Sequence, residues 1–380
     1  MKFFHLSDLH IGKQLHFYSL KEEQEGILKE ILSYAEEIKP QAIVIAGDVY
    51  DKSVPSGEAV AVFDGFIRKA AELGIPVLLI SGNHDSPERL EFASSLLEKQ
   101  GLYIGGNLPQ REEDHLKKVA FQDEWGNVCF WLLPFLKPVY VREILGEEEL
   151  SSYTEAVEKI LKREEIDVKE RNVLVSHQFF TAAGKEPVRS ASETVYVGGT
   201  GNVDISAVKD FDYVAMGHIH KAQFVGEERF RYCGTPLKYS VSESEDEKSV
   251  TVVTLGKKGE PPLIETLPLH PVRNVLCIAG ELKEIMELGC KDYVSITLTD
   301  EKLPYQPREQ LIRVFPNLLE LKIDNTRTKT QLKELKEPQL TEDPLQMFGK
   351  FYQEIHGSSW TEKERDILQE MLERIQEVEE

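Results

Sequence analysis

Five short apolar runs recur along this chain, FFHLSDLH, AIVIAGDVYD, VLLISGNHD, NVLVSHQ and YVAMGHIH, and each ends in a cluster of carboxylate, imidazole or amide side chains. Near-continuous Val, Ile, Leu and Phe without polar alternation is the pattern of strands buried on both faces, as in parallel sheets covered by helices. In open α/β sheets the reactive groups gather beyond the carboxyl ends of the strands. All five clusters lie at that end: Asp8 with His10, Asp48 with Asp51, Asn83 with His84 and Asp85, His177 alone, and His218 with His220. One histidine beside an apolar run is more often a hydrogen-bonded structural residue than a ligand. Five clusters in step reverse that expectation and point to a metal-dependent enzyme.

The intervening segments support an α/β arrangement. Leu20, Ile27, Leu28, Ile31, Leu32, Ala35 and Ile38 recur at helical spacing until Pro40, a strand follows at 42–46, and a helix over 56–73 leads to a strand at 77–80. Strand, helix, strand, helix, strand is the order of parallel units joined by crossover helices. Shorter β-like pieces fill 101–134, a helix-rich stretch covers 141–163, and strands resume at Asn172 and Tyr213 before hairpins and an acidic loop at 242–248. The pattern resets after Pro268, which makes 1–268 one domain and 269–325 a compact α/β module. Residues 326–340 read as a polar linker, and 341–380 as two short helices. Asp343 with Pro344 starts the first, and Thr361 with Glu364 forms a capping box for the second.

With 380 residues and a formal net charge of −21, the chain is large enough for two or three domains and repels polyanions on average. A nucleic-acid substrate would need local positive charge from metals, a cap or a partner. Cys129, Cys233, Cys277 and Cys290 lack CxxC spacing and read as small buried hydrophobes in a reducing cytosol, with no disulfides expected. The apolar start of MKFFHLSDLH is too short for a signal h-region, and no segment approaches membrane-spanning length. A soluble cytoplasmic protein is expected.

The ligand set exceeds what one first-row ion needs, so two ions are the economical reading, with Asp48 as the natural bridge. Its imidazole content favours Mn, Fe or Zn over Mg. Two ions about 3.5–4 Å apart can clamp a phosphoryl group during in-line displacement, so phosphoester hydrolysis is the expected reaction. Lys13, His16 and Lys221 flank the motifs as possible phosphate contacts, although isolated basic residues are usually only solvated. His5, His115, His270 and His356 have no such context and read as structural or surface residues.

The ordered set Asp-x-His, Gly-Asp, Gly-Asn-His-Asp, a lone His and Gly-His-x-His, complete within residues 1 to 240, resembles the calcineurin-like metallophosphoesterases. That resemblance implies a two-sheet sandwich flanked by helices, followed here by a small α/β capping domain that orients DNA and a C-terminal helical hairpin. One metal would be held by Asp8, His10, Asp48 and His220, and the other by Asp48, Asn83, His177 and His218. His84 would stabilise the transition state and protonate the leaving oxygen. Asp85 is placed either to orient that imidazole or to cap the helix starting at Pro87. Relatives carry an assisting histidine where this chain has Asp51, so Asp51 is read as a loop-fixing group instead.

SDLHIGK, GDVYD, SGNHD, GHIHKAQ and GTPLKYS resemble, within that family, the Mn-dependent DNA nucleases that work as dimers with a coiled-coil ATPase. The resemblance implies exonuclease action on duplex ends in the 3′ to 5′ direction and endonuclease action on hairpins or single strands. Leu345, Phe348, Phe351, Tyr352 and Ile355, and then Ile367, Leu368, Met371, Leu372, Ile375 and Val378, make two apolar stripes suited to docking on that ATPase. The competing expectation is that this hairpin packs on its own catalytic domain. A phosphatase or phosphodiesterase acting on small molecules or proteins, and a silent scaffold, are the alternatives to a nuclease.

Overall fold

The computed structural model describes residues 1–111, 113–146, 149–193 and 201–325, together with positions 352, 361 and 365. The five runs divide between two six-stranded sheets. The first orders its strands as Leu263–Pro268, Ser249–Thr254, Lys2–Leu6, Ile43–Ala46, Val77–Ile80 and Leu102–Gly105, and its last four are parallel. The second runs Gln223–Val225, Glu227–Tyr232, Tyr213–Met216, Arg171–Ser176, Gly126–Leu133 and Lys117–Asp123. Its four central strands are parallel. The antiparallel strands lie at the sheet edges.

Alternation along each strand builds the layers. Phe3, Val44, Leu78, Phe130, Val173 and Tyr213 meet between the sheets, where Phe3 packs edge-on against Phe130 and Tyr213. Phe4, Leu6, Ile43, Ile45 and Leu79 face the other way, against helices Lys21–Ile38 and Gly57–Glu72. Leu174, Val214 and Met216 do the same on the far side with helix Tyr153–Lys162. The central strands of both sheets are covered on both faces, which is why the runs read as unbroken apolar sequence, while the edge strands Leu263–Pro268 and Lys117–Asp123 are largely exposed. His5 is a polar member of the inter-sheet layer, fully buried, with Nδ1 2.9 Å from the Tyr213 hydroxyl.

Helix boundaries follow local chemistry. Ser56 accepts the Ala59 N–H and starts Gly57–Glu72, and Ser152 accepts from Glu155 N to start Tyr153–Lys162. The 141–163 stretch expected to be helical is two helices, Pro138–Leu145 and Tyr153–Lys162, the first closed by Gly146 at φ 67°.

Residues 275–323 form a three-stranded parallel sheet, Val275–Gly280, Tyr293–Leu298 and Leu318–Ile323, with helices Leu282–Leu288 and Pro307–Leu311. One face closes a small core of Ile285, Ile296, Leu311 and Phe315. The other sends Val275, Tyr293 and Leu319 into the core of the first domain. Arg273 pairs with Glu22 and with buried Glu23, and His270 Nδ1 lies 2.7 Å from Glu30, so helix Lys21–Ile38 carries this module. The expected linker 326–340 and, but for positions 352, 361 and 365, the helix pair 341–380 lie outside the described residues.

One expectation needs correction. Cys277 is exposed and Cys290 only half-buried, so only Cys129 and Cys233 are buried hydrophobes; all four thiols are free. In the acidic loop 242–248, Glu243 is fully buried and paired with Lys248. Among the described residues no helix is long and apolar enough to cross a membrane.

Candidate metal centre

The carboxyl ends of Lys2–Leu6, Ile43–Ala46 and Val77–Ile80 in one sheet meet those of Arg171–Ser176 and Tyr213–Met216 in the other. Loops leaving these five strands bring together Asp8, His10, Asp48, Asn83, His84, His177, His218 and His220. The turns that do this are tight. Asp8, His10, Asp48 and His218 adopt positive φ of 52°, 42°, 49° and 98°, each a strain of roughly 1–3 kcal/mol for a residue with a side chain. Gly82 and Gly217 permit the convergence, since a Cβ at Gly82 would stand 2.1 Å from Asp48 Oδ1 and one at Gly217 would stand 2.0 Å from the Ala46 carbonyl oxygen.

Three groups place their donor atoms within 4.8 Å of one another: Asp8, His10 and His220; Asp8, Asp48 and His177; and His10, Asp48 and His84. Asp48 sits between the halves. Its Oδ2 is 3.3 Å from His177 Nε2 and 3.7 Å from His10 Nε2, while Oδ1 accepts the His84 N–H at 2.9 Å. Asn83 Oδ1 lies 3.1 Å from His177 Nε2 and 3.0 Å from His218 Nδ1. His218 N donates to both oxygens of Asp8.

The protonation pattern tests whether a cation fits. His177 Nδ1 is 2.7 Å from the Ala46 carbonyl, which can only accept, so Nδ1 carries a proton and the Nε2 lone pair is left for a second proton or a cation. That lone pair faces a carboxylate oxygen and an amide oxygen. His10 Nε2 and His220 Nε2 likewise face each other across 3.3 Å. His177 Nε2, facing a carboxylate oxygen and an amide oxygen, marks a place that a proton or a cation must fill. Burial would lower His177, but the Asp48 and Asp8 carboxylates outweigh it and lift the imidazole to about 9. Burial together with His177 pushes His218 down to about 3, and burial holds His10 well below its ordinary value. Burial also opposes ionisation of Asp48, yet the surrounding imidazoles keep its carboxyl far below the usual range. A divalent transition metal would take the place of the extra His177 proton and meet imidazole, carboxylate and amide oxygen donors, a set that such ions favour.

His84 stands at the rim, half-buried, its ring edge-on to His10 with centroids 4.8 Å apart. Nδ1 donates to the Asp51 carbonyl at 2.9 Å, which leaves Nε2 with its lone pair. Asp85 does not orient this ring. Its carboxylate accepts the N–H groups of Val49, Tyr50 and Gly82 at 3.1, 2.9 and 2.9 Å, because the turn after His84 directs it back under the Asp48 loop. Nor does Asp85 cap the helix Pro87–Leu90, whose N-cap residue is Ser86. Asp51 supports the site through its backbone oxygen, while its carboxylate pairs with Lys13 at 2.6 Å. Lys221 pairs with Asp246 at 3.2 Å, so two of the three flanking basic residues already have acidic partners.

Sequence reading missed the groups behind His220: Ser192, Glu193, Glu243 and Lys248 all bond to it or to one another. Ser192 stands 28 residues before His220 and 51 before Glu243, with no recurring spacing, so only the fold assembles the group.

The calcineurin-like phosphoesterase family matches residues 1–222. A second family, the type 5 capsule protein repressor C-terminal domain, matches residues 271–356. The chain is 32% identical over 330 residues to the D subunit of nuclease SbcCD from Staphylococcus epidermidis, spanning 84% of this chain and 85% of that one. It is 30% identical over 382 residues to the protein of the same name from Staphylococcus saprophyticus, spanning 98% of each. Among solved structures, that of TT1561 of Thermus thermophilus is 14% identical with a TM-score of 0.40, covering 70% of this chain and 98% of that one.

Proposed function

The chain belongs to the calcineurin-like phosphoesterases and, within them, to the family of SbcCD nuclease D subunits, and from that premise we propose that it is the metal-dependent nuclease component of an SbcCD-type complex. The observation that carries this reading is the convergence of His177 Nε2 and His10 Nε2 on Asp48 Oδ2, which suits two cations sharing one carboxylate. One would be held by Asp8, His10, Asp48 and His220, the other by Asp48, Asn83, His177 and His218, with Mn2+ the fitting ion for this mixed set. Such a pair supplies Lewis-acid polarisation of the phosphodiester and charge neutralisation in the displacement.

The chain's own residues do the remaining work. Ala46 O fixes the His177 tautomer, and the Asp85 carboxylate ties the Asp48 loop to the Asn83 loop. His84, anchored at Nδ1 by the Asp51 carbonyl, has Nε2 free to stabilise the transition state and pass a proton to the leaving oxygen. Substrate DNA would be degraded from duplex ends in the 3′ to 5′ direction and cut internally at hairpins or single strands, in the service of repair, recombination and replication. The net charge of −21 makes bound cations and a partner the means of holding a polyanion.

The partner is an SbcC-type coiled-coil ATPase bound through residues 341–380. It supplies the nucleotide site, because this chain has no Gly-rich Lys-Ser/Thr phosphate loop. A homodimer within a heterotetramer is the assembly that likeness to the SbcCD D subunits suggests, and a groove beside helix Gly57–Glu72 is lined by Tyr50, Val60, Phe63, Ile67, Leu90 and Phe92. Phe92 is 80% exposed there. The complex would work in the bacterial cytoplasm.

The test is a Mn-supplemented assay on end-labelled hairpin DNA, run beside a chromogenic phosphodiester, with and without partner and ATP. Hairpin opening that needs partner and ATP is expected. Turnover of the small diester with DNA left intact in the full complex would instead make this a small-molecule phosphodiesterase.

A further inference from the structure

His220 is held at three atoms by side chains that no motif marks. Its N–H donates to Glu193 Oε1 at 2.8 Å, its carbonyl accepts from Lys248 Nζ at 3.0 Å, and its ring Nδ1 lies 2.7 Å from Ser192 Oγ. Ser192 Oγ lies 2.7 Å from Glu243 Oε1, and Glu243 Oε2 accepts from Lys248 Nζ at 2.7 Å. Hydrogen-bond roles along this series are fixed by chemistry. A lysine ammonium only donates and an ionised carboxylate only accepts, so the single hydroxyl proton of Ser192 goes to Glu243 and its oxygen accepts Nδ1–H from His220. The His220 proton is thereby placed on Nδ1. The Nε2 lone pair then points to His10 Nε2 and the Asp8 carboxylate.

We propose that Ser192 and Glu243, backed by Lys248, are positioning residues that hold His220 in its Nδ1–H tautomer with Nε2 aimed into one cation site. The inference rests on reading Asp8, His10, Asp48 and His220 as ligands. The supports of the other imidazoles set it apart. His177 leans on a main-chain carbonyl, which no side-chain substitution removes, and His10 Nδ1 has no hydrogen-bond partner, its nearest carboxylate oxygen being Asp51 Oδ1 at 3.8 Å. His220 alone of these three is backed by a fully buried carboxylate, and a carboxylate behind an imidazole orients the ring and strengthens it as a donor. Glu243 also sits on the short turn Val241–Glu243, close to where the first strand of the small module packs: Cys277 Sγ lies 3.3 Å from Ser244 Oγ.

The test compares Ser192→Ala, Ser192→Thr and Ser242→Ala in the full chain, titrated with Mn2+ and followed by calorimetry and by paramagnetic resonance of the bound ion. Ser242 is the control, since its hydroxyl accepts from Ala191 N at 3.0 Å and ties down the same segment without touching His220. Ser192→Ala should keep the wild-type melting temperature and one tight Mn site while the other weakens by about 10–100-fold, the usual effect of losing an outer partner of a metal-ligating histidine. Ser192→Thr should restore that site, and Ser242→Ala should leave both unchanged. Two unaltered Mn affinities in Ser192→Ala, or an equal loss in Ser242→Ala, would overturn the proposal while leaving the ligand assignment standing. A wild-type chain that binds no Mn would remove both.

Discussion

His84 and His177 both follow the end of a buried strand and both have a ring nitrogen fixed by a carbonyl, yet their free nitrogens face different surroundings. His177 Nε2 points inward to Asp48 and Asn83, whereas His84 stands at the rim. His84→Ala is therefore expected to retain two Mn ions and DNA affinity while losing about two to four decades of cleavage rate. His177→Ala should lose one ion, and equal metal loss in the two variants would make His84 a ligand. His5 carries a separate prediction. Burial and the nearby Arg231 push it down to about 3, so the folded chain holds it neutral while the unfolded chain titrates near 6.5. Its contribution to stability is complete above pH 6.5 and is lost as pH falls from there toward 3, at about 1 kcal/mol per pH unit. In Mn-saturated protein, His5→Gln should flatten the acid side of the stability profile between about pH 6 and 5; an unchanged slope would contradict the assignment. The metal-centre residues were legible because each follows an apolar run. Asp85 misled because adjacency in sequence suggests contact with the His84 ring, while the turn sends its carboxylate to three main-chain N–H groups.

Helix Lys21–Ile38 links the metal centre to the small module. Gln24 donates to the His10 carbonyl at 2.8 Å and accepts the Gly12 N–H at 3.0 Å, while the preceding residue, Glu23, pairs with Arg273. Strands, helices and the reset after Pro268 could be read from periodicity and capping residues, because each depends on neighbours a few positions apart. The division of five runs between two sheets could not, since it depends on which distant strands pair. The same limit hid the 242–248 turn, where Glu243 and Lys248 are buried beside the strand Val275–Gly280 and the His220 loop while Glu245 and Glu247 stay exposed. Arg273→Ala would leave the Glu23 carboxylate buried without its cation, an unfavourable state. The expected result is that limited proteolysis near 268–274 accelerates about tenfold while Mn binding persists; an unchanged cleavage rate would mean that apolar packing through Val275, Tyr293 and Leu319 alone holds the module. At the opposite end, Phe348→Asp with Phe351→Asp should abolish co-purification with the SbcC-type partner and spare hydrolysis of a small phosphodiester, because charge at the centre of an apolar interface is costly. Unaltered complex formation would reassign the 341–380 stripes to intramolecular packing.

Across the whole molecule, two sheets with buried central strands converge the carboxyl ends of those strands on one acidic, imidazole-rich centre, in a chain whose net charge repels the polyanion proposed as its substrate. Positive charge must therefore be local, and the metal centre is where the fold concentrates the ligands for it. The account stands on the two halves of that centre sharing Asp48, whose Oδ2 lies between His177 and His10. Metal stoichiometry of the purified Asp48→Ala chain, measured beside wild type under saturating Mn and paired with a phosphodiester assay, tests this most directly. Two ions per wild-type chain are predicted, with loss of the paired site and of turnover in the variant. An Asp48→Ala chain that still bound two Mn ions and cut DNA at the wild-type rate would contradict it.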